Sequence, residues 1–201
     1  MELVLVRHAL PVRVDRTDHG GPADPGLSDL GWQQAVRVIE ALRLDEIDVI
    51  YSSPAARALE TAEPLAAKLG LPVQVEPGIA EFDKDHGAYV PVEELRAEDD
   101  PRWHALVRGE LQDSGVDPHA FRDTVASTIE GIVGRHPGQR AALFSHSGAI
   151  NAYTGSITGQ ERVLWFAPAY ASLTRVGASR DGRRGLVSLN ETGPVRDLHS
   201  R

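Results

Sequence analysis

An α/β fold is predicted by three features of the sequence: short apolar runs rich in β-branched residues, amphipathic helical segments between them, and turn-forming residues at the junctions. The arrangement expected is a three-layer sandwich with a mostly parallel central sheet and helices on both faces. The 201 residues suit a single domain over 1–201, with a small helical or irregular insertion at about 82–117.

Leu3-Val4-Leu5-Val6 is a continuous apolar run and reads as a strand buried on both faces. A long loop follows over 11–27, with Asp18, Gly20, Gly21, Pro22, Asp24, Pro25 and Gly26 as turn formers. Loops of this length in a compact domain are functional or disordered. Ser28 is placed to cap a helix whose apolar positions are Trp32, Ala35, Val36, Ile39 and Leu42. The next strand is 48–51. Ser53-Pro54 then opens a second helix, with serine at the cap and proline at the first helical position. Its stripe runs through Ala55, Ala58, Leu59, Ala62, Leu65, Ala66 and Leu69, and Gly70 ends it.

A third strand is expected at 71–75. The charged, irregular stretch from Phe82 to Asp117 reads as the insertion, lying over the sheet. Phe121, Val125, Ile129 and Ile132 mark a helix that ends near Gly134–Gly138. Strand 140–145 carries Ala141-Ala142-Leu143-Phe144, and a helix starts at Ser147. Two closing strands are read at 171–176 and 185–189. The tail from Thr192 to Arg201 is expected to be poorly ordered.

Composition narrows the function. The chain has no cysteine, which excludes disulfide scaffolds, Cys-ligated zinc and thiol nucleophiles, and suits a reducing cytoplasm. The opening Met1-Glu2-Leu3-Val4-Leu5-Val6-Arg7 is too short an apolar run for a signal peptide. No stretch reaches the ~20 apolar residues of a membrane span. A net charge of −8 with no basic stripe argues against nucleic acid. It also requires any anion-binding arginine to be placed locally, because the overall field repels anions.

Two strands end in residues unsuited to a buried core. Leu3–Val6 runs into Arg7-His8, and Ala142-Leu143-Phe144 runs into Ser145-His146. Ligands of open α/β sheets bind beyond the carboxyl ends of the strands, so both histidines are expected at one such edge. Each could equally cap its strand by bonding a carbonyl. Arg57 follows a strand by about one helical turn, near a helix N-terminus suited to phosphate; elsewhere it would be an ordinary surface arginine. Glu81 arrives after the Pro77-Gly78 turn and is a candidate proton donor. The run Glu81-Phe82-Asp83-Lys84-Asp85-His86 lacks partners at metal-ligand spacing, so no metal is expected. Glycine-rich phosphate and dinucleotide loops are absent.

These residues carry a resemblance to a known family. Arg7-His8 after an apolar strand is similar to the Arg-His-Gly motif of the histidine phosphatase superfamily, also called phosphoglycerate mutase-like. Leu27-Ser28-Asp29-Leu30-Gly31 with Gln34-Ala35 resembles the segment that follows there. Tyr51-Ser52-Ser53-Pro54 through Arg57-Ala58 to Thr61-Ala62 resembles the second signature, Glu81 matches the acidic residue by placement, and Ser145-His146 resembles the late Ser-His-Gly motif. Departures are Ala9 and Ser147, each standing where the family has glycine.

The resemblance implies a metal-independent phosphomonoester hydrolase without cofactor, acting through a phosphohistidine on a small phosphorylated metabolite. The insertion would then lie over the active site. In this reading His8 is the nucleophile, Arg7, Arg57 and His146 bind the phosphoryl oxygens, and Glu81 is the acid and base. Ser28 and Ser147 are expected to touch substrate, with Trp103, Tyr89 and His86 as further contacts near the mouth. A cofactor-dependent phosphoglycerate mutase and a non-catalytic phospholigand-binding module are the alternatives. The modest insertion favours the hydrolase over the mutase, and the complete residue set favours it over the module. A homodimer is a family-level expectation.

Overall fold

Six segments form strands: β1 (Glu2–Arg7), β2 (Val49–Ser52), β3 (Val73–Val75), β4 (Arg140–Ser145), β5 (Leu173–Ala178) and β6 (Arg184–Glu191). A computed structural model of the chain describes residues 1–15, 20–108, 115–162 and 164–198. The strands make one sheet in the order β3-β2-β4-β1-β5-β6. β1, β2, β3 and β4 run parallel, while β5 and β6 add an antiparallel edge.

The apolar runs of β1 and β4 are explained by two-sided burial. Leu3, Leu5, Ala141 and Leu143 face one core, and Val4, Val6, Ala142 and Phe144 face the other. Alternate side chains leave a strand on opposite sides, so a run with no polar positions needs cover on both. The first core is closed by α5 (Pro118–Arg135) and α6 (Ser147–Thr158) through Val125, Ile129, Ile132, Ile150 and Tyr153. The second is closed by α1 (Asp29–Ala41) and α2 (Ala56–Leu69) through Ala35, Val38, Ala62 and Leu65. Each fully buried side chain of Leu or Phe size contributes about 1.5–3 kcal/mol.

Several boundaries differ from expectation. Helix α1 buries Gly31, Gln34, Ala35 and Val38, whereas Trp32 and Val36 are 38% and 52% exposed. The stripe is rotated because α1 packs under the start of the long loop. A Cβ on Gly31 would stand 2.1 Å from the Leu10 carbonyl oxygen, and Gln34 is drawn inward to accept from the Leu10 N–H at 2.9 Å. Helix α2 begins at Ala56, not at Ser53-Pro54, and Asp24 of the long loop accepts from the Ala56 N–H at 2.9 Å. Gly70 ends α2 in the left-handed region, φ +66°, as its position suggested. Strand β3 is shorter than 71–75.

The tail is ordered over Gly193–Leu198, where a 3-10 helix buries Val195 against the α1–α2 side. The rest of the tail, 199–201, lies outside the described residues, as does the turn former Asp18. The insertion supplies two short helices, α3 (Val92–Ala97) and α4 (Pro101–Arg108). A bridge between Val14 and Tyr89 joins it to the long loop. Among the described residues no helix is long and apolar enough to cross a membrane.

Candidate active site

Strand register brings the polar ends together. Arg7 is aligned with Ser145 across β1–β4, and Ser52 with Phe144 across β2–β4. The residues just past each strand, His8, His146 and Ser53, therefore emerge at one edge of the sheet. Backbone bonds hold two of them there: His8 N–H donates to Ser145 O at 2.8 Å, and Ser53 N–H to Phe144 O at 3.0 Å.

His8 is 3% exposed, with its ring centre 5.0 Å from that of His146. Its Nδ1 lies 2.8 Å from the Ala9 carbonyl, an acceptor only, so Nδ1 carries the proton and Nε2 the lone pair. Burial pushes the His8 pKa well below the usual 6.5, and the charges of Arg57, His146 and Arg7 push it the same way. At neutral pH the ring is uncharged and nucleophilic at Nε2.

His146 is fully buried, and burial together with the charges of Arg57 and Arg7 lowers its pKa as well. Its Nε2 lies 2.6 Å from Ser53 Oγ. Ser53 Oγ already accepts from the Ala55 N–H at 3.3 Å, which leaves its hydroxyl hydrogen to donate to Nε2 and makes Nδ1 the N–H of the ring. That Nδ1 is buried without a partner among the described residues.

Arg7 stacks 3.7 Å over the Tyr170 ring and donates from Nη1 to Pro168 O at 2.6 Å and to Glu93 of α3 at 2.8 Å. Burial opposes its charge, but Glu93, Tyr170 and Tyr89 together outweigh that and its pKa is raised. Arg57 is the second residue of α2, 4.6 Å over the Tyr89 ring, with Asp24 and Asp83 each at 3.8 Å. Thr61 ties the two chain segments together, accepting from Ala9 N–H at 2.9 Å and donating to Arg57 O at 2.6 Å. The Nε atoms of both arginines are buried and lack a partner among the described residues. Buried donors are normally paired, at a cost of about 1–3 kcal/mol each when they are not. Arg7 Nε, Arg57 Nε and His146 Nδ1 are three such donors, all belonging to residues whose charges act on His8. The chemistry of that set fits a polyanion.

Glu81 follows the 3-10 turn Pro77–Ile79, which is tied to the end of β4 by a Ser145 Oγ to Ile79 O bond of 2.7 Å. Its carboxylate accepts from Gly148 N–H at 2.9 Å and Phe82 N–H at 3.1 Å. A Cβ on Gly148 would stand 2.1 Å from Glu81 Oε1, so any larger residue there would displace the carboxylate. Burial, reinforced by the charge of Asp83, raises the Glu81 pKa to about 7, against the pull of both N–H groups and of Arg57. Asp83 is itself raised by burial. A carboxyl group with a pKa near the working pH can give a proton and take one back.

Arg7, His8, Arg57, Glu81 and Ser147 line one cavity of about 430 Å³, with His86 and Tyr89 also on its wall. Trp103 lies on a smaller neighbouring cavity. Ser28 is placed elsewhere: its hydroxyl accepts from Gly31 N–H at the start of α1 and donates to Leu10 O, and it lines neither cavity. Ser53, Tyr170, Asp83, Glu93 and Gly148 were not foreseen. Ser53 carried a usable signal, a polar residue directly past a buried strand, as His8 and His146 are, but its Ser-Pro context read as a helix start. Among the described residues no three His, Asp or Glu side chains are grouped as metal ligands would be.

Known proteins resemble this chain in sequence and in fold. The family model of the histidine phosphatase superfamily (branch 1) matches residues 3–192. The chain is 30% identical over 162 residues to phosphoserine phosphatase 1 of Hydrogenobacter thermophilus, covering 79% of this chain and 77% of that one. Mycobacterial relatives 31% identical over 201 residues are longer, and the chain spans 54% of their length while 95% of it is matched. Among solved structures, a mycobacterial glucosyl-3-phosphoglycerate phosphatase complexed with VO3 superposes with a TM-score of 0.76 at 23% identity, covering 94% of this chain and 98% of the other. The chain belongs to the histidine phosphatase superfamily.

Proposed function

We propose that this protein hydrolyses phosphomonoesters of small metabolites through a phosphorylated His8. The observation that carries the reading is the set of three unpaired buried donors, Arg7 Nε, Arg57 Nε and His146 Nδ1, around a histidine held neutral. Relatives acting on phosphoserine and glucosyl-3-phosphoglycerate support the same substrate class.

Phosphoryl transfer asks a protein chiefly to position groups and to stabilise charge. The guanidinium groups and His146 Nδ1–H hold the phosphoryl oxygens, arginine suiting them by its planar fork and permanent charge. His8 Nε2 attacks phosphorus as the P–O ester bond breaks, and protonated Glu81 gives its proton to the departing oxygen. The resulting Glu81 carboxylate then takes a proton from water as that water attacks phosphorus. The P–N bond breaks, the lone pair returns to Nε2, and Glu81 is protonated again. Ser147, at the start of α6, offers a hydroxyl to the phosphate on the same wall. The absence of cysteine and the acidic surface suit a cytoplasmic setting.

The test is hydrolysis of an aryl phosphate in excess EDTA, with wild type and His8→Ala compared and acid-labile phosphoenzyme trapped. EDTA-resistant turnover and a phosphoenzyme, both lost in the variant, are expected. A persistent phosphoenzyme without turnover would move the reading to a mutase. Absence of both would move it to a phospholigand-binding module.

A further inference from the structure

The cavity that contains His8 is far larger than a phosphoryl group. Its roughly 430 Å³ falls in the range that holds whole drug-sized ligands. Beyond the charged end, its wall carries Phe82, Val92, Leu95, Ala105, Leu106 and Leu164, together with Arg102 and Arg108 of α4. A second cavity of about 210 Å³ shares Arg7, Ser147, Leu106 and Leu164 with the first and adds Trp103, Trp165 and Phe166.

Helix α4 shows what this wall is for. Its sequence carries Trp103, Ala105, Leu106 and Val107, yet none of its residues is buried. A surface helix normally presses its apolar stripe into a core. Here Ala105 and Leu106 face the first cavity, and Trp103, Leu106 and Val107 face the second. The stripe is turned toward ligand space.

The charges near the phosphoryl end already have partners. Arg7 is met by Glu93 at 2.8 Å, Arg102 by Asp100 at 2.8 Å, and Arg57 by Asp24 and Asp83 at 3.8 Å, and Arg108 on the same wall is also engaged. Glu93 lines neither cavity, but its carboxylate offsets the charge of Arg7 that would otherwise attract a second anionic group on a leaving group. Arg162, on the second cavity, is exposed, and solvent screens it.

We propose that the preferred leaving group is an uncharged, largely apolar alcohol of aromatic size, seated against Leu106 and the apolar face of α4, and that carboxylate-bearing leaving groups are disfavoured. The inference rests on the phosphatase reading and narrows it.

The probes are 2-naphthylmethyl phosphate, phosphoserine and 3-phosphoglycerate, all esters of primary alcohols, so that leaving-group basicity does not decide the ranking. With wild-type protein, kcat/KM is expected to be at least about tenfold higher for the naphthylmethyl ester, the scale on which apolar pockets discriminate. Leu106→Asp should bring that ratio close to one. Equal or better turnover of phosphoserine or 3-phosphoglycerate by wild type overturns the inference and leaves the phosphatase reading standing. No turnover of any probe, with no phosphoenzyme, overturns both. If Leu106→Asp does not fold, the wild-type ranking decides alone.

Discussion

Around His8 the walls are strand ends: Arg7, Ser53 and His146 are fixed by the register of β1, β2 and β4, and their side chains are buried, charged or polar. Around Leu106 the walls are two short helices of the insertion, apolar and half-buried, tied to the rest by the Val14–Tyr89 bridge and by Glu93 and Arg13. One end is positioned by the sheet and tolerates little movement. The other is carried by elements of 6 and 8 residues, too short to be stable as helices without tertiary support. The difference separates the two tasks: the sheet edge fixes the chemistry, and the insertion sets what the phosphate is attached to. Substitutions at the sheet edge should act on every substrate alike, and substitutions in the insertion should sort substrates.

The largest effect is expected from His8→Ala, which should lower kcat by about 10⁴-fold or more for every phosphomonoester. Single-turnover kinetics with phosphoenzyme trapping would check it. A loss that depended on the leaving group would break the separation.

Glu81→Gln should follow, with kcat down about 10²–10⁴-fold. The defect should be greatest for alkyl leaving groups, which most need a proton. Wild-type activity should fall above pH 7 as the raised Glu81 carboxyl ionises, and should persist to pH values well below 6.5 before His8 protonates. The variant should lose the alkaline limb. Stability carries the same signature. The native state keeps the Glu81 proton up to about pH 7, whereas the unfolded chain releases it near 4.5. The native state therefore binds more protons between those values, and the stability this group contributes is lost as pH rises through 7. Relative to wild type, Glu81→Gln should gain on the order of 1–3 kcal/mol between pH 5 and pH 8. Urea denaturation at both pH values measures it.

Ser53→Ala should cost about tenfold in kcat/KM, the effect of removing one hydrogen bond to a buried ring. It frees the His146 Nε2 and no longer fixes which nitrogen carries the proton. The loss should be equal for naphthylmethyl and serine phosphates, because Ser53 belongs to the sheet edge.

The same contrast governs how much the sequence disclosed. β1 and β4 were legible because two-sided burial leaves an apolar run, and the polar residues that follow such a run have to face a ligand. Arg7, His8, Arg57, Glu81 and His146 were all nominated by that logic together with the family resemblance. What escaped depends on long-range packing. The burial of Gln34 is set by the Leu10 N–H, the start of α2 by Asp24, and the order of the tail by Val195 fitting against α1 and α2. No local pattern contains those partners. The insertion was legible only as irregular sequence, because its helices bury Leu95 and little else.

Glu93 joins the two ends, and its replacement should give the smallest effect. Its carboxylate is 48% exposed while the Arg7 side chain it meets is 4% exposed. A half-exposed pair of this kind is worth about 0.2–1 kcal/mol once solvent screening is counted. Glu93→Gln should therefore change ligand affinity by no more than about fivefold. The direction is fixed by competition: the carboxylate and a phosphoryl oxygen both draw on Arg7, so removing the charge should strengthen competitive inhibition by inorganic phosphate. It should also narrow the gap between the naphthylmethyl ester and 3-phosphoglycerate, because the charge of Arg7 is then no longer offset and attracts a leaving-group carboxylate. Inhibition constants and the two kcat/KM values, measured on the same preparation, test both effects. Weaker phosphate binding would mean that Glu93 serves chiefly to hold Arg7 in place, and the insertion would then belong to the chemistry as well as to the choice of substrate.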